Sequence, residues 1–182
     1  TGERTALNLV QRCAGMATAS AQAVASVARV PGSRLRILDT RKTPPGMRGL
    51  AKAAVRDGGA TNHRFGLFDG VLIKDNHLAA WTESDSIAHA VIAARQRSPH
   101  GVSVEVEVDS VAQLRDALDG KPDIVLLDNM DLQTLRESVS IRNEVAPGVL
   151  LEASGGVTLA TVAEIAQTGV ERISVGGLTH SA

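Results

Sequence analysis

The sequence predicts an α/β protein, an incomplete (β/α) barrel of about six parallel strands preceded by a long N-terminal helix. Three observations carry this. Short runs rich in Val, Ile and Leu alternate with longer segments of helical pattern, which is the mark of repeated βα units. No Rossmann glycine fingerprint follows the first apolar run, which favours a barrel over an open doubly wound sheet. Polar and charged residues gather just after the apolar runs, at the strand ends where such barrels collect their functional groups.

The first predicted element is a helix from Glu3 to Val30, rich in Ala, Ser and Gly as close packing against another body requires, and stopped by Pro31-Gly32. Predicted strands follow at Leu35 to Asp39, Gly70 to Lys74, Val102 to Val108, Asp123 to Leu127, Gly148 to Glu152 and Arg172 to Val175. Predicted helices lie between them at Met47 to Asp57, Ser84 to Arg97, Val111 to Leu118, Leu132 to Val145 and Leu159 to Thr168. Apolar spacing of three and four, as in Ile87, Val91, Ala94 and Leu132, Leu135, Val139, reads as core faces.

The 182 residues suit one domain, spanning 1–182, with a sizeable core. Nineteen basic against 20 acidic residues leave a formal charge of -1, so no global field points to nucleic acid or anionic membrane, and any cationic site is local. An aromatic content of 2% argues against stacking on bases. The single cysteine, Cys13, excludes an internal disulfide framework and fits a reducing compartment, so the expected location is the cytoplasm. No stretch approaches the roughly 18 consecutive apolar residues of a membrane span, and no signal-peptide pattern opens the chain. A start at Thr1 fits a piece of a longer protein. His89 and His100 read as surface residues, and Trp81 and Cys13 as packing residues.

Between Thr40 and His77 the chain places Arg41, Lys42, His63, Arg64 and Lys74 in short polar breaks. Arginine forks bind carboxylates at two points and lysine supplies a compact charge, so the set reads as an anion site with room for more than one carboxylate. Taken singly, each cation could equally belong to a solvated face.

In Val104-Glu105-Val106-Glu107-Val108, strand alternation puts both glutamates on one face and the valines on the other. If the valines pack outward under helices, the glutamates point into the barrel, where a carboxylate persists only with a cation, a donor or a metal. The alternative is an edge strand with a solvated face. Asp128 follows Ile124-Val125-Leu126-Leu127 as a second inward carboxylate, although Asp128-Asn129 could also be a turn or a helix cap. Together Glu107 and Asp128 could accept hydrogen bonds from ribose hydroxyls or help hold Mg2+, which takes a few carboxylates beside substrate phosphates. Ser154-Gly155-Gly156 and Gly176-Gly177-Leu178 follow the last two strands, and such glycine-rich loops let backbone N–H groups approach a phosphate.

The ordered series Thr40-Arg41-Lys42-Thr43-Pro44-Pro45-Gly46-Met47-Arg48, Asn62-His63-Arg64, Lys74-Asp75-Asn76-His77, Glu105-Val106-Glu107-Val108-Asp109, Leu127-Asp128-Asn129, Ser154-Gly155-Gly156 and Leu178-Thr179-His180-Ser181 closely resembles the quinolinate phosphoribosyltransferases of NAD synthesis. The resemblance covers the whole chain in order. It implies transfer of phosphoribosyl from phosphoribosyl pyrophosphate to the ring nitrogen of quinolinate, with loss of CO2, giving nicotinate mononucleotide and pyrophosphate.

By the same resemblance, Arg41, His63, Arg64 and Lys74 line the quinolinate pocket, with Thr40 beside them and Lys42 near the incoming phosphates. Glu107 and Asp128 match the positions that hold the ribose and its Mg2+, with Lys74, Glu107 and Asp128 as the catalytic set. Ser154, Gly155 and Gly156, with Gly176, Gly177 and Leu178, match the 5'-phosphate loops. The family's sites are shared across a homodimer, and Arg4 matches the arginine that reaches into the neighbour's site. The resemblance also implies an N-terminal lobe ahead of this chain and more chain after it, so the piece alone is expected to be poorly active. Ala153 and Gly177 depart from the usual serine and alanine without removing a needed group.

Three other readings compete. The ModD-like group of molybdenum-transport-associated proteins shares the Arg-Lys-Thr and His-Arg motifs but usually lacks the lysine found here as Lys74. A nicotinate phosphoribosyltransferase would bind a monocarboxylate and need fewer cations. An inactive anion-binding module would be expected to have lost Glu107, Asp128 or Lys74, and all three are present.

Overall fold

The computed structural model describes residues 2–30, 35–82, 84 and 86–181. Its six strands are all parallel and lie in the order β1-β6-β5-β4-β3-β2, with β1 (Arg36–Leu38), β2 (Val71–Ile73), β3 (Val104–Val108), β4 (Ile124–Asp128), β5 (Leu150–Ser154) and β6 (Arg172–Ser174). The helices are α1 (Gly2–Val27), α2 (Arg48–Asp57), α3 (Asp75–Ala80), α4 (Ile87–Arg97), α5 (Val111–Asp119), α6 (Leu132–Val145), α7 (Val162–Ala166) and α8 (Gly177–His180). The βα alternation is the one the sequence predicts, and the sheet is not closed: β1 and β2 are its edges. The expected stop at Pro31-Gly32 lies outside the described residues, and α1 ends three residues short of the predicted Val30. The last long helix is shorter at both ends than the predicted Leu159 to Thr168.

Each strand presents two faces with different contents. Val104, Val106 and Val108 join Val125, Leu127, Leu151, Ala153 and Ile173 in one core with Leu114 and Leu118 of α5 and Leu135 and Ile141 of α6. These are the outward positions, sealed by helices. The inward positions carry Glu105, Glu107, Asp128, Glu152 and Arg172 instead, so the hydrophobic effect that holds the fold acts on one face and leaves the other for polar groups. In register, Glu107, Leu126, Glu152 and Arg172 form one row across four strands, with Glu105 one row below and the Asp128–Ser154 pair one row above.

Local signals set the helix starts. Ser110 caps α5 by accepting the N–H of Gln113, and Asp131 caps α6 by accepting that of Thr134 at 2.8 Å. The cap role open to Asp128 therefore falls to Asp131. The small residues of α1 let α2 approach closely: a Cβ on Gly58 would lie 2.3 Å from the Ala17 carbonyl oxygen. Among the described residues no helix is long and apolar enough to cross a membrane.

The gap between β1 and β2 is spanned by a non-strand segment. Thr61 forms a single parallel bridge with Leu38, its N–H donating to Ile37 O at 2.8 Å. Three residues on, the Arg64 guanidinium donates to Gly70 O at 3.2 Å, just before β2. His63 and Arg64 thus enter the barrel through its seam.

Candidate active site

At the carboxyl ends of the strands a cavity of about 940 Å³ opens, and it collects the residues expected from the sequence. Thr40, Arg41, Lys42, His63, Arg64 and Lys74 line one part of it. Glu107, Asp128, Ser154, Gly155, Gly156, Gly176, Gly177 and Leu178 line the rest. Arg4 is not among them; it stands exposed near the start of α1. His89 and His100 are exposed, while Trp81 and Cys13 are partly buried and pack against apolar clusters, as the sequence suggests.

The cationic side is held from beneath by a pair that sequence reasoning missed. Lys52 Nζ lies 2.6 Å from Asp39 Oδ1, and both side chains are almost fully buried. Lys52 also donates to the carbonyls of His63 and Arg64 at 2.9 and 3.1 Å, while Asp39 accepts the His63 N–H at 2.8 Å and the Asn62 side-chain amide at 2.8 Å. The signal was present: Lys52 sits among Ala51, Ala54 and Val55 on the buried face of α2, where a lone charge needs a partner. Arg41 is half-buried and its Nε has no hydrogen-bond partner, which leaves a desolvated donor beside the cavity. Burial and the neighbouring Arg41 charge both push the Arg64 pKa below the ordinary guanidinium value.

Behind these cations lies a second cluster, of His63 with Glu105, Glu152 and Arg172, of which the sequence assigned only His63 to the site. His63 Nε2 stands 3.2 Å from Glu105 Oε2 and 3.3 Å from Glu152 Oε1. Arg172 Nε donates to the other oxygen of Glu152 at 2.7 Å. Burial alone would lower the His63 pKa, but hydrogen bonding and charge from Glu105 and Glu152 outweigh it and raise it to about 9. Burial works against the charged form of Glu152 as well, yet His63 and Arg172 hold its pKa below the usual carboxylate range.

One contact opposes the second proton on His63: Nδ1 accepts the Arg64 N–H at 2.8 Å, a bond open only to the singly protonated ring. By distance alone His63, Glu105 and Glu152 could hold a metal ion, since their ligand atoms lie within 4.8 Å of one another. The guanidinium on Glu152 and the Arg64 N–H on Nδ1, which leaves the ring proton on Nε2, oppose that use.

Facing the cations, Lys74 Nζ and Glu107 Oε2 form an ion pair, half-exposed on the lysine side. Lys74 lies in the break before α3, whose His77 Nδ1 accepts the Lys74 N–H at 3.0 Å; the sequence reading had no helix there. Asp128, half-buried at the end of β4, accepts from Asn129 Nδ2 through one oxygen at 2.8 Å. Asn129 takes a positive φ of 54° and donates its N–H to Ser154 O at 2.9 Å. Gly155, at φ 93°, packs so closely that a Cβ there would lie 2.1 Å from Asn129 Oδ1. The Asp-Asn and Ser-Gly-Gly motifs are therefore one interlocked unit. The last loop is tied to the first: Thr179 Oγ1, fully buried, donates to Lys42 O at 2.7 Å.

Chemically, the cavity combines a cationic wall suited to anionic groups with the carboxylates of Glu107 and Asp128 and two glycine-rich loops. The family described as quinolinate phosphoribosyl transferase, C-terminal domain, matches residues 16–182. The chain is 49% identical over 181 residues to the nicotinate-nucleotide pyrophosphorylase [carboxylating] of Mycobacterium leprae, covering 100% of this chain and 61% of that protein. It is 39% identical over 181 residues to the human enzyme of the same name, covering 100% and 60%. The solved nicotinate-nucleotide pyrophosphorylase of Francisella tularensis superposes with a TM-score of 0.86 at 43% identity, covering 97% of this chain and 60% of that one. The chain thus spans about 60% of the length of these relatives. It belongs to the quinolinate phosphoribosyltransferase family, matching that family's C-terminal domain.

Proposed function

We propose that this domain supplies the active site for phosphoribosyl transfer from phosphoribosyl pyrophosphate to the ring nitrogen of quinolinate, with decarboxylation to nicotinate mononucleotide, in the cytoplasm. The observation that carries it is the meeting, in one cavity of about 940 Å³, of five basic side chains with Glu107, Asp128 and two glycine loops. A dicarboxylate gives that many cations a purpose. The single cysteine fits the reducing location.

Arg41, Arg64 and Lys74 orient the two carboxylates, and Thr40 and His63 complete that wall. Lys42 faces the pyrophosphate, and the Ser154–Gly156 and Gly176–Leu178 loops seat the 5'-phosphate. As the pyrophosphate leaves, the ribosyl carbon gains cationic character, which Glu107 and Asp128 stabilise from the ribose side. Loss of CO2 leaves an electron pair on the ring carbon beside the newly quaternised nitrogen, and Lys74 assists there as a nearby positive charge.

The residues fit a Mg2+ ion. Glu107 has one carboxylate oxygen outside its Lys74 pair, Asp128 one outside its Asn129 bond, and Mg2+ keeps several waters beside few carboxylates. When bound, it neutralises charge on the departing pyrophosphate. Arg4, exposed and away from the cavity, completes the neighbouring subunit's site in a homodimer or higher assembly.

Calorimetric titration of quinolinate into the full-length protein tests this reading. Arg41→Ala and Lys74→Ala each remove a charge-assisted contact, so the Kd is expected to rise about tenfold or more. Binding unaffected by both changes sinks the proposal, and nicotinate binding as tightly as quinolinate favours the monocarboxylate reading.

A further inference from the structure

We propose that Arg48 and Lys52, one turn apart on α2, are positioning residues for dicarboxylate recognition: they hold the segment that carries Arg41 and the segment that carries His63 and Arg64 at one spacing. The inference rests on the reading of this cavity as the quinolinate site.

The two segments need an outside hold. Below them the backbone supplies one, since the Thr61 N–H donates to Ile37 O at 2.8 Å and the Asp39 N–H to Thr61 O at 3.3 Å. Among the described residues no further backbone hydrogen bond joins residues 40–44 to residues 62–66. Arg41 Nε has no partner of its own. Burial, and after it the charge of Arg41, lower the Arg64 pKa, so in the empty cavity the two guanidinium groups repel and do not hold each other in place.

Side chains of α2 take over where the backbone stops. Arg48 spans both segments, donating from Nη2 to Arg41 O at 3.3 Å and from Nη1 to Phe65 O at 3.4 Å, with Nε on Thr43 Oγ1 at 3.4 Å. Lys52 spans them one turn later, through Asp39 Oδ1 at 2.6 Å and the carbonyls of His63 and Arg64 at 2.9 and 3.1 Å. The carbonyls of Arg41, His63, Arg64 and Phe65 thus all receive donors from one face of one helix, which sets where the anion-binding side chains start. Lys42, next to Arg41, is anchored elsewhere: its carbonyl accepts from Thr179 Oγ1 of α8 at 2.7 Å. The cations for quinolinate and the lysine for the phosphates therefore have separate anchors.

That separation supplies the test: the Michaelis constants of both substrates in the full-length enzyme, for wild type, Arg48→Met, Arg48→Lys and Thr179→Val. Arg48→Met keeps the aliphatic stem and loses the fork, so the quinolinate KM is expected to rise about tenfold while the phosphoribosyl pyrophosphate KM stays within about twofold. Thr179→Val is expected to do the reverse. Arg48→Lys keeps the charge but lacks the fork that reaches carbonyls on both segments, so it should resemble Arg48→Met.

Equal changes in both constants overturn the inference, because a merely loosened fold behaves that way. An unchanged quinolinate KM in Arg48→Met overturns it too, and one restored in Arg48→Lys shows charge acting without position. The crystal structure of substrate-free, full-length Arg48→Met judges the hold without any substrate. Residues 40–43 and 62–65 displaced or less ordered, with β4 and β5 in place, support it, and both segments unmoved remove it. Where Arg48→Met does not fold, Arg48→Lys takes its place in both measurements. Absence of quinolinate turnover in the wild type would count against the functional reading, and the structure of the variant would still judge the hold.

Discussion

Lys52 and Asp39 lie 13 residues apart in sequence and 2.6 Å apart in space, and their further side-chain hydrogen bonds go to the segment carrying Asn62, His63 and Arg64. A buried ion pair of this kind contributes little net stability when complete. Its loss on one side is costly, because the other charge is left unpaired.

Lys52→Met is therefore expected to destabilise the fold by about 3–5 kcal/mol, while Lys52→Met with Asp39→Leu loses clearly less. Urea unfolding of the four members of that cycle checks it. A double variant as damaged as Lys52→Met alone would show that packing, and not the stranded carboxylate, sets the cost.

Gly155→Ala should couple stability to phosphate binding. The positive φ of Gly155 and its contact with Asn129 leave no room for a methyl group, so the substitution is expected to cost about 1–3 kcal/mol and to raise the KM for phosphoribosyl pyrophosphate more than that for quinolinate. Thermal unfolding and steady-state kinetics measure the two halves. Gly156 has open space around it at φ 59°, so Gly156→Asn, which tolerates that region, is expected to be milder.

The same His63 cluster makes stability depend on pH. His63 has its folded pKa raised from 6.5 to about 9, so its contribution is complete below about 6.5 and is lost as pH rises through about 9. Glu152 has its folded pKa lowered from 4.5, so its contribution is present above about 4.5 and is lost on acidification through the depressed value. Stability from this cluster should thus be greatest between about 4.5 and 6.5. Urea midpoints at several pH values report it, and Glu105→Gln should flatten the alkaline side.

A shared site predicts complementation. Full-length Arg4→Ala and Lys74→Ala proteins, each poorly active, should regain about a quarter of wild-type activity when unfolded together and refolded as a mixture, because about half the dimers then hold one intact site of two. Activity that stays at the sum of the two variants would show that Arg4 serves its own subunit or none.

Much of this was legible in the sequence. The period-two alternation of Val104 to Val108 placed Glu107 inside the barrel correctly, because strand geometry leaves no choice once the valines are buried. The motif residues from Thr40 to Leu178 meet in one cavity for the same reason: strand ends in a parallel barrel share one mouth. What escaped was short or long-range. Helices α3 and α8 have six and four residues, too few to show a helical period. The contacts of His63 with Glu105 and Glu152 join residues about forty and ninety positions apart, and no local pattern encodes such pairs. Lys52 was different, since a charge on the apolar face of α2 was visible and went unread.

Because β1 and β2 do not pair among the described residues, and the gap is bridged by isolated contacts, those of Thr61 with β1 and of Asp39 with Asn62 and His63 at one edge and that of the Arg64 guanidinium near the other, the barrel has a built-in line of weakness. A closed barrel must break strand pairing to widen, whereas this one needs to give up only a few isolated contacts. Amide exchange should accordingly be faster at Thr61 and at Asp39, whose N–H groups span the seam, than along β4 or β5, so the part of the wall carrying two of the cations is also the part most free to adjust around an arriving ligand.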